Sequence, residues 1–307
     1  LACVVDGRQR VRHTLEANRR LAKEGKTPLL VPAVTKRGSA VRMAQAMVSA
    51  NEIRQADTPL GRAKKMADAL DSLRLMRTQE RPAQVFVRGQ GSWLWDSDGR
   101  AFLDFTQGLA VNCLGHSPSV LVQALARQAR ELVSAGPGLL NRPVLALAQR
   151  LCLATGSDQA YFLTSGAEAN EAAIALARKW GRLHRGGAQR IVSTVNSIHG
   201  RTPGTLTACG KPAQHGLEGF ARVPFNDLDA MAAAIDEETV AVMLEPVQGD
   251  AGVIPATLDY LRGIERLCRQ RGVLLILDEV QTGIGRCGAL LAEELYGVRA
   301  DIVTLGK

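Results

Sequence analysis

The chain has 307 residues, 46% of them apolar and 22% charged, a globular composition with enough apolar material for one large or two ordinary domains. Its longest purely apolar stretches, such as Val273 to Leu277, fall far short of the ~20 residues a membrane span requires. The apolar start Leu1 to Val5 runs directly into Asp6 and Arg8, which leaves no room for the apolar middle of a secretory signal. The protein is therefore expected in the cytoplasm, with no membrane partner.

The formal net charge of +8 is not spread evenly: residues 1–80 hold sixteen Lys and Arg against eight Asp and Glu, whereas residues 81–307 hold 22 of each kind. In the basic part, Val11 to Glu24, Val41 to Ile53 and Leu60 to Leu75 are rich in helix formers, and Gly25, Pro28 and Pro32 break the first two apart. No aromatic residue precedes Phe86, so single-stranded nucleic acid finds no stacking platform. Charge runs are usually solvated faces. Residues 1–80 are read as a basic, mainly helical extension of unknown role, with a weak polyanion-binding arm as the alternative.

From about Arg81 the texture changes. Strands are expected at Gln159 to Leu163, Arg190 to Val195, Val240 to Glu245, Val273 to Asp278 and Ile302 to Leu305. Helices are expected at Val120 to Val133, Val144 to Thr155, Ala167 to Trp180, Leu228 to Ile235 and Leu258 to Arg271. Apolar runs without alternation belong to strands buried on both faces, and strands separated by helices make a mostly parallel sheet. The fold class is α/β. The six cysteines are scattered, with no Cys-x-x-Cys pair and no His at ligand spacing, so reduced thiols and no metal site are expected.

In such sheets ligands bind beyond the carboxyl ends of the strands. There the chain places Thr164-Ser165-Gly166-Ala167-Glu168 at a helix start, where exposed N–H groups and the helix dipole suit a phosphate; the same residues also read as an ordinary capping box. Asp278, after five apolar residues, needs a cation or several donors to stay charged, and a pyridinium would serve; a turn cap is the plain alternative. Lys307 follows the last strand and could form a Schiff base if burial or nearby charge lowers its pKa, although a lysine so placed is ordinarily solvated. Arg201, after His199-Gly200, offers a guanidinium able to grip a carboxylate in bidentate fashion, or is a surface charge. Glu245 is either a second charge for the site or an organiser of the following loop. Together these strand ends supply a phosphate cradle, a pyridinium partner, a Schiff-base lysine and a substrate clamp, which fits pyridoxal 5'-phosphate.

The residues that carry this reading also carry a resemblance. Gly89 to His116, Thr164 to Gly181, His199 to Thr202, Val240 to Gly249, Leu274 to Arg286 and Asp301 to Lys307 resemble the class III aminotransferases of fold type I, particularly the acetylornithine type. The resemblance implies a fold type I large domain with a mostly parallel mixed sheet and part of an N-terminal small domain. It divides the chain into residues 1–80, an N-terminal segment 81–120, and a cofactor-binding large domain 121–307, with the C-terminal small domain absent. It further implies that Gly166 and Ala167 hold the phosphate, Asp278 pairs with the ring nitrogen, Gln281 lies near the phenolic oxygen, Lys307 holds the cofactor, and Arg201 and Glu245 meet the substrate. Ser165, Ile198, His199 and Val280 complete the cofactor-binding set.

The implied reaction is a ping-pong transfer of the terminal amino group of N-acetylornithine, or a similar ω-amino donor, to 2-oxoglutarate, as in arginine biosynthesis, by a homodimer. Ornithine and 4-aminobutyrate types are the alternatives within the family, and an inactive piece with a basic arm is the alternative outside it. Three features depart from the family pattern: Ile198 stands where an aromatic ring is usual, Asp250 where Glu is common, and the chain stops at Lys307, so the polypeptide is expected to be incomplete.

Overall fold

The computed structural model describes residues 2–6, 76, 84–136, 138–210 and 217–307. The helices expected over Val11 to Glu24, Val41 to Ile53 and Leu60 to Leu75 lie outside the described residues. Of these, 84–107 and 114–122 fall in one compact unit, and 2–6, 108–113 and those from 123 onward fall in another.

The smaller unit holds a three-stranded antiparallel meander of β2 (Phe86–Gln90), β3 (Trp93–Asp96) and β4 (Ala101–Leu103). Its β3–β4 turn is built on Asp96, whose buried carboxylate accepts from the N–H groups of Asp98 and Arg100 and from Arg100 Nε. His116 Nε2 lies 2.7 Å from Asp104 Oδ2. The two Thr106 donors, the imidazole and the Gln107 N–H hold the Asp104 carboxyl down at about 2.

The larger unit is layered around a seven-stranded sheet. In chain order its elements are β1 (Ala2–Asp6), α2 (Arg142–Thr155), β5 (Gln159–Leu163), α3 (Gly166–His184), β6 (Arg190–Thr194), α4 (Pro203–Ala208), β7 (Phe220–Val223), α5 (Leu228–Ala234), β8 (Thr239–Leu244), β9 (Val247–Gln248), β10 (Ile254–Pro255), α6 (Leu258–Arg271), β11 (Leu274–Glu279), α7 (Ala292–Tyr296) and β12 (Ile302–Leu305). A further helix, α1 (Ser119–Glu131), precedes α2. The strand order is β5-β1-β12-β11-β8-β6-β7. Six strands run parallel; β1 alone is antiparallel to both its neighbours, β5 and β12. The mostly parallel α/β sheet expected from the alternation of strands and helices is thus present, with an interior strand at residues 2–6 that the sequence reading did not assign.

The parity of the strands explains the unalternating apolar runs. Successive side chains point to opposite faces, and both faces of this sheet are covered. Leu274 and Ile276 of β11, with Ile302 of β12 and Met243 of β8, pack against Ala169, Ala173, Ile174 and Ala177 of α3. Leu275 and Leu277, with Val303, Leu305 and Leu244, pack on the other side with Leu261 and Ile264 of α6 and Met231 of α5. Each fully buried Leu or Ile of this kind stabilises the fold by roughly 1.5–3 kcal/mol. The alanines of α3 recur at i, i+4 and i+8, so the helix backbone lies close against the strands.

Helix ends carry their own signals. Asn141, Ser165, Asp227 and Thr257 each accept from an N–H of the first turn, as good N-caps do. Among the described residues no helix is long and apolar enough to cross a membrane, and no cluster of His, Cys, Asp or Glu is arranged to hold a metal ion. Cys113, Cys152, Cys209, Cys268 and Cys287 are free of disulfides.

Candidate active site

Strand parity, continued past the apolar run, decides where the polar strand ends point. Asp278 keeps the register of Leu274 and Ile276 and therefore faces α3; Glu279 keeps that of Leu275 and Leu277 and faces the opposite layer. Glu279 is fully buried there and accepts from the N–H groups of Ala292 and Glu293 at 2.6 and 2.8 Å and from Thr282 Oγ1 at 3.2 Å. Burial pushes its carboxyl up, against the pull of those donors. Glu279 thereby closes the 280–291 loop onto the start of α7.

On the α3 side, Asp278 is 3% exposed and its two oxygens are used unequally. Oδ2 accepts from Asn170 Nδ2 at 2.7 Å and lies 2.8 Å from His199 Nδ1. Oδ1 accepts from the Val280 N–H at 3.0 Å, with Thr304 Oγ1 more distant at 3.4 Å. An ionised carboxylate only accepts, so His199 Nδ1 carries the proton. Burial opposes a charge on this imidazole, but the hydrogen bond and charge of Asp278, helped by Glu245, outweigh it and raise the His199 pKa. Its Nε2 is buried and has no hydrogen-bond partner among the described residues.

Asn170 joins three chain segments at this point. Besides Asp278, its Nδ2 donates to the His199 carbonyl at 2.7 Å, and its Oδ1 accepts from Thr304 Oγ1 at 2.7 Å. Thr304 lies opposite Asp278 in the β11–β12 register. Both residues are buried, Asn170 at 1% and Thr304 at 0% exposure. Neither was singled out from the sequence, although a signal existed: each is a lone polar side chain on an apolar face, and such a group must find a partner.

The loop after β6 is fastened from several sides. Ile198 N–H donates to Glu245 Oε2 at 2.9 Å, His199 N–H lies 3.0 Å from Cys209 Sγ, and Gln248 Nε2 donates to the Val195 carbonyl and to the Thr194 and Ser197 hydroxyls. Glu245 is itself buried; burial, with the charges of Asp278 and Asp250, lifts its carboxyl to about 7 despite the opposing pull of His199 and the Ile198 N–H. Gly200 has φ +143°, and a Cβ there would lie 2.7 Å from both Ala167 Cβ and Thr205 Oγ1. Only glycine lets this loop lie against the first turn of α3.

That first turn is capped by Ser165, whose Oγ accepts from the Glu168 N–H at 3.2 Å and donates back to Glu168 Oε2 at 3.1 Å. The N–H groups of Gly166 and Ala167 occupy the first two helical positions, which lack intrahelical acceptors. Val280 leans on this turn: a Cβ on Gly166 would sit 2.6 Å from Val280 Cγ1, and one on Gly306 would sit 3.0 Å from the same atom. The first turn of α3, the Asp278 loop and the residue before Lys307 therefore meet around one valine.

Gln281 lies along the Gly249 backbone, its Oε1 filling the space a Gly249 Cβ would take. Lys307 and Arg201 are exposed, and the Arg201 guanidinium has no partner among the described residues. The structure thus brings Ser165, Gly166, Ala167, Ile198, His199, Glu245, Asp278, Val280 and Gln281 to the carboxyl ends of β5, β6, β8 and β11, with Lys307 at the end of β12.

The family described as "Aminotransferase class-III" matches residues 75–307. Acetylornithine aminotransferase 2 of Bordetella bronchiseptica is 52% identical over 238 residues, covering 76% of this chain and 60% of the relative. The acetylornithine aminotransferase of Ralstonia nicotianae is 46% identical over 242 residues, covering 76% and 61%. The chain thus spans about 60% of the length of these curated relatives.

Among solved structures, N-acetylornithine aminotransferase from Stenotrophomonas maltophilia superposes with a TM-score of 0.67 at 37% identity, over 78% of this chain and 60% of that one. An ornithine aminotransferase from Toxoplasma gondii, described with partial occupancy of PLP at its active site, superposes with a TM-score of 0.73 at 28% identity, over 82% and 63%.

Proposed function

The chain belongs to the class III aminotransferases, and from that premise we propose that it forms the cofactor-holding part of an acetylornithine-type transaminase that uses pyridoxal 5'-phosphate. The observation that carries the reading is Asp278: a buried carboxylate whose Oδ2 is used by two side chains while Oδ1 takes the Val280 N–H, the Thr304 hydroxyl at 3.4 Å giving its one hydrogen to Asn170 Oδ1 at 2.7 Å. A carboxylate oxygen has two acceptor sites, so Oδ1 retains one for the N–H of a protonated ring nitrogen. The N–H groups of Gly166 and Ala167, at the first two positions of α3, have no intrahelical acceptor and suit a phosphate at the positive end of the helix. These residues fit the cofactor.

In this reading the N–H groups of Gly166 and Ala167, with the positive end of the α3 dipole, hold the phosphate. Asp278 would hold the ring nitrogen, Ile198, His199 and Val280 would line the ring, and Gln281 would serve the phenolic oxygen. The cofactor, when bound, supplies an electron sink for the donor's carbon–hydrogen bond. Lys307 would hold the cofactor through Nζ and, with the donor bound, would take up the proton released from the donor carbon. Arg201, exposed and unpaired among the described residues, grips the donor's α-carboxylate, and Glu245 closes the substrate side of the loop.

The donor we assign is N-acetylornithine or a like ω-amino compound, with 2-oxoglutarate as acceptor, in a cytoplasmic homodimer; this rests on the relatives' names and on the family. A panel of N-acetylornithine, ornithine and 4-aminobutyrate separates the donor classes. The cofactor assignment is tested by adding pyridoxal phosphate, recording the visible spectrum, reducing with borohydride and mapping the labelled peptide. We expect the label on Lys307 and none in Lys307→Ala; a label spread over other lysines, or none in the parent chain, refutes the assignment.

A further inference from the structure

The Arg201 guanidinium is exposed and makes no hydrogen bond or ion pair among the described residues. Where it stands is therefore set by its backbone, and that backbone is fastened to α3 on both sides. Ala167 and Glu171, one helical turn apart, lie on the same face of α3. Before Arg201, Gly200 lies against Ala167 with no space for a Cβ between them. After it, the Gly204 N–H donates to Glu171 Oε1 at 2.8 Å, and a Cβ on Gly204 would sit 2.6 Å from Glu171 Oε2. Thr202 and Thr205 are occupied with each other across the start of α4, their hydroxyls 2.7 Å apart and the Thr202 N–H donating to Thr205 Oγ1 at 3.0 Å. Gly204 is buried at the second position of α4, so its N–H needs an acceptor, and a carboxylate from another helix provides it.

We propose that Glu171 is a positioning residue for the substrate clamp: by holding the Gly204 N–H, its carboxylate fixes the turn from Gly200 to Thr205 on α3 and so sets where the Arg201 guanidinium stands. The inference rests on the reading of Arg201 as the group that meets the donor's α-carboxylate, and adds to it the residue that holds that group in place. A long side chain on a loosened turn spreads its guanidinium over a wider volume, and each carboxylate that binds must order it afresh. With the turn pinned at Gly200 and again at Gly204, only the side-chain torsions of Arg201 remain to be ordered.

Three substitutions separate the hydrogen bond from the charge. Glu171→Ala removes both. Glu171→Gln keeps an acceptor for the Gly204 N–H and removes the charge, including its pull on Arg178. Gly204→Ala leaves Glu171 in the chain but displaces its carboxylate with a Cβ. Because Glu171→Ala and Gly204→Ala break the same contact, combining them should add little to either alone. Amide exchange in the full chain checks the contact itself: the Gly204 N–H should be protected in the parent and in Glu171→Gln, and should exchange at least about tenfold faster in Glu171→Ala, as loss of a bond to a charged group implies. Equal exchange in the parent and Glu171→Ala overturns the proposal.

The second readout is how well N-acetylornithine shields Arg201 from phenylglyoxal, an arginine-directed reagent, in the full chain with pyridoxal phosphate added, scored by mass spectrometry of the Arg201 peptide. The concentration that halves the labelling rate should rise about 3- to 10-fold in Glu171→Ala and in Gly204→Ala, the range for ordering one rotamer-rich side chain anew. It should return close to the parent value in Glu171→Gln, and the dissociation constant for pyridoxal phosphate should stay as in the parent throughout. Circular dichroism shows which variants keep the fold; should Glu171→Ala lose it, Gly204→Ala and Glu171→Gln carry the test. Undiminished shielding in Gly204→Ala or Glu171→Ala, Glu171→Gln as weak as Glu171→Ala, or cofactor affinity that falls in step with the shielding each overturns the proposal. A parent chain with a protected Gly204 N–H whose Arg201 is not shielded at all instead overturns the reading of Arg201 as the clamp.

Discussion

Replacing Gly200 by alanine tests whether the site's first turn and the β6–α4 loop are as closely apposed as described. Two costs add. At φ +143° an L residue is strained by roughly 1–3 kcal/mol, and a Cβ placed 2.7 Å from Ala167 Cβ and Thr205 Oγ1 forces overpacking worth typically 1–3 kcal/mol. The single variant should therefore lose about 2–6 kcal/mol, a large part of the roughly 5–15 kcal/mol that holds a typical domain folded.

Adding Ala167→Gly removes one colliding partner and leaves the φ strain and the Thr205 contact. The pair should be less destabilised than the sum of the singles by about 1 kcal/mol, the size of coupling seen between touching residues. Urea unfolding followed by far-ultraviolet circular dichroism measures both, provided the slope is unchanged between variants. If Gly200→Ala costs less than about 0.5 kcal/mol, as surface substitutions do, or if the two changes simply add, the close approach is refuted.

Glu245 makes a prediction about pH. Its carboxyl is lifted to about 7 in the folded chain, so between its ordinary value and about 7 the folded state holds a proton that the unfolded state releases, and stability falls as pH rises through that window. Glu245→Gln, which can still accept from the Ile198 N–H, should flatten this part of the stability–pH profile; an unchanged profile counts against the shift. Glu279→Ala leaves the buried Ala292 and Glu293 N–H groups without their acceptor, at about 1–3 kcal/mol each. Faster amide exchange across residues 280–293 is the expected signature, and unchanged protection would contradict the clamp. Thr304→Val is close to isosteric and deletes the bond to Asn170 Oδ1, for an expected loss of about 1 kcal/mol in urea unfolding.

Much of the larger unit was legible because its strands are local apolar runs and its helices carry caps. The expected strands at Gln159–Leu163 and Ile302–Leu305 and the helix Leu258–Arg271 have the observed bounds, and the others differ by a few residues at their ends. What stayed hidden was non-local. β1 has no signature of its own; its place between β5 and β12 depends on partners far along the chain. The meander β2–β4, largely exposed along β2 and β4, and the short strand β7 are brief, so alternation over so few residues is weak evidence.

The chemistry-bearing strand ends could be found because ligands gather where parallel strands stop. Which oxygen of Asp278 is engaged, and that Asn170 and Thr304 engage it, required the register of β11 against β12 and the facing side of α3. Arg201 shows the converse: a residue type suited to a carboxylate, exposed and with no partner among the described residues.

The antiparallel β1 also sets the order in which the sheet can assemble. Cys3 pairs with Leu305 and Val4 with Thr304, about 300 residues away along the chain, and the same short strand pairs with Gln159 to Leu163 on its other side. Closing so long a loop is entropically slow and brings late reward. During synthesis β1 emerges long before β12 and must wait for it, so the edges of β5 and β12 that it covers stay open until both are made. The seam beside the edge strand β5 is thus late to close, and chaperone binding or aggregation competes with that step.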